Sequence, residues 1–303
     1  MRDADQPVIF WFRQDLRLCD LPGLKAAEDS GAPILACYFL DDQSPANWAP
    51  GGASRWWLHH SLVTLDAALR KRGGHLLVRR GNAAQELPAL VREVGASDVF
   101  CSEHFEPWNR ALQDSLAQTL DQTNAALHIH PGVVLRHPDT VSTQTGGAFK
   151  VFTAFWKASR RGLAVPEALP APAEGCFLTH ALPGLANGEW DLLPTSPDWA
   201  AHWPELWRPG EAGAAAALEH FVTTGLGAYH TARDLPGVPG TSRLSPHLHL
   251  GEVSPAQVWR AIQSTPVADD EAIDRYLGEL GWREFNYYLL YHHPHLPEQP
   301  FRA

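Results

Sequence analysis

Seven consecutive residues, Gly240-Thr241-Ser242-Arg243-Leu244-Ser245-Pro246, carry three hydroxyls, one guanidinium and a glycine-led turn. Hydroxyls and backbone N–H groups donate to phosphate oxygens and Arg243 balances charge, so the composition suits a pyrophosphate. The same residues also suit a polar turn that caps a helix. A second stretch, Gly278-Glu279-Leu280-Gly281-Trp282-Arg283-Glu284-Phe285, lies in a run whose pattern predicts a helix over Asp270–His293, ended by Pro294. On it Tyr276, Glu279, Trp282, Arg283 and Asn286 follow at three- and four-residue steps and share one face. Two aromatics, an acid, a guanidinium and an amide on one face suit a lined cavity. The plainer alternative is a Glu279–Arg283 surface ion pair with the aromatics packed beside it. The nearby GTSRLSP turn favours the cavity.

The elements that must position these residues follow from the periodicity. Val8–Phe12, Ile34–Phe39, Leu76–Arg79, Asp98–Ser102 and Leu127–His130 read as buried strands. Pro22–Ser30, Ser54–Arg72, Asn82–Val94 and Trp108–Thr123 read as the helices between them. The alternation predicts a parallel sheet covered on both faces, five strands over residues 8–130. No GxGxxG follows the first strand, which argues against a nicotinamide dinucleotide. From Arg136 to Arg208, Pro, Gly and Ala dominate around aromatic islands such as Phe149–Trp156, so this reads as a connecting segment over the surface. Glu211–Gly225, Ser254–Ile262 and Asp270–His293 are then helical. The division expected is 1–135, 136–208 and 209–303.

The chain has 303 residues, 45% hydrophobic and 19% charged, with twelve Trp and one Met; that is enough apolar material for a sizeable core. A formal charge of −10 argues against a nonspecific nucleic-acid binder but leaves room for a local basic funnel. Cys19, Cys37, Cys101 and Cys176 form no CxxC pair and read as reduced thiols of a cytoplasmic protein. Met1–Gln6 is polar, Arg13, Asp15 and Arg17 interrupt the apolar run, and no stretch is long enough to span a bilayer. His128 with His130, and His292, His293 and His295, have no Cys or acid at ligand spacing, so no metal is expected. No nucleophile elbow is visible.

The run Ala228-Tyr229-His230-Thr231-Ala232-Arg233-Asp234, through GTSRLSP to Ser254-Pro255, resembles the flavin-domain signature of the photolyase/cryptochrome family. The WREF helix resembles that family's substrate helix. Trp11-Phe12-Arg13-Gln14-Asp15-Leu16-Arg17-Leu18, Ala53-Ser54-Arg55-Trp56-Trp57-Leu58-His59, Phe105-Glu106-Pro107 and Lys150-Val151-Phe152-Thr153 with Phe155-Trp156 match its other segments, so the resemblance covers nearly the whole chain. It implies a Rossmann-like α/β domain, a connector and a helical FAD domain. The implied activity is light-driven electron transfer from reduced FAD to a pyrimidine dimer flipped out of DNA.

Carried over by position, Tyr229, Thr241, Ser242, Arg243, Leu244 and Ser245 would hold FAD, with Tyr276 beside the flavin and Arg283 in the same cavity. Arg233 would contact a DNA phosphate, and Glu279 would hydrogen-bond the dimer while Trp282 stacks on it. Leu280, Gly281, Arg283 and Asn286 would complete the DNA-facing surface. Glu279 with Trp282 favours a class I enzyme repairing cyclobutane dimers; a cryptochrome-like photoreceptor and an inactive remnant are the alternatives. Trp108-Asn109-Arg110 replaces the Asn-Glu pair of folate-binding relatives, and Pro297–Gln299 has no Lys, which argues against a folate antenna and leaves a deazaflavin or no antenna open. The family's flavin domain continues past this helix, so the resemblance implies a C-terminally truncated cavity that holds FAD weakly. It also implies a monomer unless another chain covers the exposed face.

Overall fold

The computed structural model describes residues 6–179, 182–266 and 269–301. The polar reading of residues 1–5 lies outside the described residues. Strands β1 (Val8–Phe12), β2 (Ile34–Leu40), β3 (Leu76–Arg80), β4 (Asp98–Ser102) and β5 (Ala126–His130) form one parallel sheet in the order β3-β2-β1-β4-β5. Its central strand is registered by Ile9 opposite Leu35 on one side and Val99 on the other. Every residue of β1 is buried, as a strand covered on both faces requires.

Alternation along β1 divides the core. Val8, Phe10 and Phe12 face one layer with helices α1 (Pro22–Asp29) and α2 (Gly52–Arg70), whose Leu24, Leu62 and Leu65 are buried there. Ile9 and Trp11 face the opposite layer with α3 (Ala83–Val94) and α4 (Pro107–Asp121), through Leu87, Leu90, Leu112 and Leu116. Strand β5 departs from the expected burial: Ala126 and Ile129 are exposed and the rest half-buried. It is the sheet edge, so only β4 pairs with it. His128 there binds Asp98 at 2.7 Å and stacks on Phe100.

The stretch after β5 is mostly irregular but contains helix α5 (Phe152–Arg160) and a single turn, α6 (Trp203–Leu206). Phe155 and Trp156 of α5 belong to a third core, so the aromatic island seen in the sequence is a packed helix. That core also takes Leu218 of α7 (Glu211–His220), Tyr229 of α8 (Tyr229–Ala232), Val258 and Ile262 of α10 (Pro255–Gln263), and Leu277, Leu280 and Phe285 of α11 (Asp270–His292). Helix α9 (Ser245–His249) lies between α8 and α10 in sequence. The expected helix over Glu211–Gly225 keeps its regular form only to His220, and a wider π-type turn follows over Phe221–Gly225.

Capping explains the ends that set the site. Ser254 accepts from the Gln257 N–H while the Gln257 side chain accepts from the Ser254 N–H, a reciprocal cap on α10. Asp269 accepts from the Ala272 N–H at 2.9 Å and starts α11. Arg17, 1% exposed, ties the two halves together by donating to the Gly251 and Asp20 carbonyls. No helix among the described residues is long and apolar enough to cross a membrane, and all four cysteines are free thiols.

Candidate functional site

The GTSRLSP turn opens where the chain passes close under α8. A Cβ on Gly240 would lie 2.5 Å from backbone atoms of Ala232, so only glycine fits there. Three residues later Arg243 holds φ = 55°, in the left-handed region that a branched-free side chain enters only at some cost. That bend carries its guanidinium over the Trp207 indole, 3.8 Å from the ring centre. Ser245 then begins α9, with Pro246 in its first turn.

These residues and α11 enclose a cavity of about 680 Å³. One wall is Thr241, Ser242, Arg243, Leu244, Ser245, Leu248 and His249; the other is Tyr276, Glu279, Leu280, Trp282, Arg283, Asn286 and Tyr287, with Tyr229 at one end. The three- and four-residue steps of α11 thus place their polar and aromatic residues on one cavity face. The Tyr276 hydroxyl donates to Ser242 Oγ at 2.9 Å and ties the two walls together. Tyr229, Tyr276 and Phe221 pack as a cluster, with the two tyrosine rings 5.1 Å apart. Burial pushes the hydroxyl pKa of both tyrosines up, so both remain protonated donors.

Trp282 stacks face to face with Phe152 of α5, centroids 3.8 Å apart and planes within 10°. Although 45% exposed, the indole is therefore held flat at the cavity mouth.

Charge pairing differs from the simple sequence alternative. Glu279 pairs not with Arg283 but with Arg233, which lies just past α8, and that contact pushes the Arg233 pKa up. Arg283 turns to the domain junction, donating to the Val133 carbonyl at 2.8 Å and contacting Glu284 at 3.2 Å. Glu284 also accepts from the Leu135 N–H at 2.7 Å; burial raises its pKa to about 7 against the opposing pull of Arg283. Two of the expected residues lie off the cavity wall. Arg233 reaches it through Glu279 and Tyr229, and Gly281 is buried against the Trp156 ring. Leu248, His249 and Tyr287 were missed, although Tyr287 is one helical turn from Arg283 and His249 one turn from Ser245.

A second, smaller cavity of about 150 Å³ lies at the C-terminal end of β1, where the strand order reverses toward β4. Trp48 and Trp108 line it with nearly parallel rings 6.4 Å apart, beside Arg13, Asp41 and Asn109.

Residues 8–173 match the DNA photolyase family. A deoxyribodipyrimidine photo-lyase of Agrobacterium fabrum is 39% identical over 97% of this chain. The chain belongs to the DNA photolyase/cryptochrome family. A bacterial class III photolyase from Agrobacterium tumefaciens superposes with a TM-score of 0.92 at 37% identity over 99% of the chain. Cryptochrome-1 of Arabidopsis thaliana is 29% identical over 96% of it. The chain spans about three fifths of the length of the photo-lyase relatives, 61% and 62%, and 44% of the cryptochrome. The fold expected of this family, a five-stranded parallel α/β domain followed by a helical region, is the fold observed.

The larger cavity fits the family's flavin cofactor in its donor chemistry. Thr241, Ser242 and Ser245 supply hydroxyls and Arg243 a cation on one wall, as a diphosphate and a polyol chain require. Its volume falls within the range of cofactor sites.

Proposed function

We propose that this chain carries the phosphate-holding wall and the damage-reading helix of a light-driven repair enzyme for cyclobutane pyrimidine dimers in DNA. The observation that carries the reading is one cavity with the Thr241–Ser245 donors on one side and Glu279, Trp282 and Asn286 on the other. FAD bound there and reduced supplies an electron when it absorbs light. Thr241, Ser242 and Ser245 hold its phosphates and sugar chain, and Tyr276 holds the Ser242 hydroxyl in place. Trp282, backed by Phe152, offers its free face to an extruded base, and stacking of that kind contributes about 1–3 kcal/mol per base. Glu279 and Asn286 offer polar atoms to the base edge.

For the subclass we take class III over class I, because the 37% identical structure is described so. A cryptochrome-like photoreceptor is the second reading, favoured by the 29% identity to Cryptochrome-1. The Trp48–Trp108 cavity suits a planar antenna; an absorption spectrum of the extracted chromophore separates folate from deazaflavin.

The experiment is equilibrium dialysis of the protein with FAD, then blue-light repair of an oligonucleotide carrying one dimer. We expect FAD binding that Ser242→Ala weakens by about tenfold, equivalent to the roughly 1.4 kcal/mol of one lost hydrogen bond. Binding indifferent to Ser242 would remove the phosphate wall from the account. FAD binding without repair would favour the photoreceptor.

A further inference from the structure

Arg233 and Glu279 belong to two different parts of the proposed DNA contact, one facing a backbone phosphate and the other a base. In the structure they hold each other. Arg233 Nη1 bonds Glu279 Oε1 across 46 residues of sequence, and the same nitrogen lies 3.4 Å from the Tyr229 hydroxyl. The guanidinium rests 5.4 Å over the Tyr229 ring, and its Nε is 3.5 Å from Asp234. The pair sits at the cavity mouth, with side chains 23% and 39% exposed. One side therefore opens to solvent and the other to the cavity that Glu279 and Tyr229 line.

We propose that this ion pair is a latch opened by DNA, an inference that rests on the DNA-repair reading above. A backbone phosphate reaching Arg233 takes the place of the carboxylate, because a guanidinium binds phosphate through the same planar fork. A half-exposed pair is weak enough to be exchanged in this way. Glu279 is then free to turn its oxygens into the cavity. Intact and damaged strands both open the latch, but only a strand whose base enters the cavity uses the released carboxylate. Glu279 thus lowers affinity for intact DNA and raises it for damaged DNA, and Arg233 couples the two effects.

The test is a double-mutant cycle of Arg233→Gln and Glu279→Gln, read in the dark by fluorescence anisotropy. The probes are a short oligothymidine strand, intact or with one cyclobutane dimer, from low to physiological salt. In the wild-type background, Glu279→Gln should tighten intact-strand binding by roughly two- to threefold at low salt. The wild type and Glu279→Gln make the same phosphate contact once bound, so the slope of the salt dependence should drop by about 0.7, one phosphate contact on a single strand, only when Arg233 is replaced. With Arg233→Gln in place, Glu279→Gln should leave the affinity unchanged.

Equal tightening in both backgrounds would mean plain charge repulsion and overturn the latch, as would no tightening in either. Both side chains are part-exposed and should fold as glutamines; Arg233→Met replaces Arg233→Gln if melting shows otherwise. The dimer strand tests the parent reading separately. A wild type that prefers the dimer while the cycle is additive loses only the latch. A wild type with no preference loses the repair reading even where the intact-strand cycle holds. If no variant binds either strand, both fall.

Discussion

At positions 283 and 284 an arginine and a glutamate leave the same helix turn and meet again at the junction with the α/β half. Glu284 is 5% exposed, and burial raises its pKa from 4.5 to about 7. The native state then holds a proton that the unfolded chain has already released between those two values. Stability due to this group is greatest below pH 4.5, falls as pH rises toward 7, and reaches its full loss above it. The gap amounts to roughly 3 kcal/mol by the usual conversion of pKa to energy. Buried His104, whose pKa burial pushes well below 6.5, acts in the opposite sense, costing stability as pH falls below that value. The measurement is therefore the difference between wild type and Glu284→Gln in urea midpoints from pH 5 to pH 8. The variant should gain on the wild type by about 2–3 kcal/mol over that span, since part of the gap is already lost at pH 5. A difference constant with pH would show that Glu284 is ionised throughout. None of this was legible in the sequence, because the groups that set the environment of Glu284 include Leu135, 149 positions away.

At the scale of elements, spacing was legible where burial follows from pattern and illegible where it follows from neighbours. The five strands and the α11 cavity face were readable because alternation and three- and four-residue steps are local properties. The exposure of β5 was not, because being an edge depends on strand order. Nor was the pairing of Glu279, since periodicity brings Arg283 alongside but says nothing of Arg233, 46 residues away in the turn after α8. Helix α11 also carries two glycines with opposite roles. A Cβ on Gly278 meets nothing within 4 Å, whereas one on Gly281 would lie 2.6 Å from a Trp156 ring atom. Gly278→Ala should stabilise the protein by about 0.5–1 kcal/mol through helix propensity alone. Gly281→Ala should destabilise it by about 1–3 kcal/mol, because α5 and α11 must separate. Thermal melts of both variants check the pair, and equal shifts would mean that α5 is not packed as described.

For the whole molecule, the decisive contact between the halves is a buried carboxylate. Glu252, 1% exposed, accepts from Trp57 Nε1 at 3.1 Å and from the Gly210 N–H at 2.7 Å, and it also binds Ser61 and His247. Trp57 and Ser61 lie on α2 of the α/β half, while Gly210 and His247 border the helical half. Glu211 adds a second tie by accepting from the N–H groups of Leu18 and Cys19. A single side chain thus satisfies donors from both halves, and removing it strands several of them in the interior. Each buried donor left without a partner costs about 1–3 kcal/mol, so Glu252→Ala should cost at least about 3 kcal/mol. The loss should also be visible as uncoupling. In the wild type, indole fluorescence and far-ultraviolet circular dichroism should follow one denaturation curve, since the two halves share this network. In Glu252→Ala the curves should separate, with the helical half unfolding first because the sheet retains its own two-sided core. Coincident curves in the variant, with a midpoint near that of the wild type, would mean that the halves are held by apolar packing and that the carboxylate is incidental.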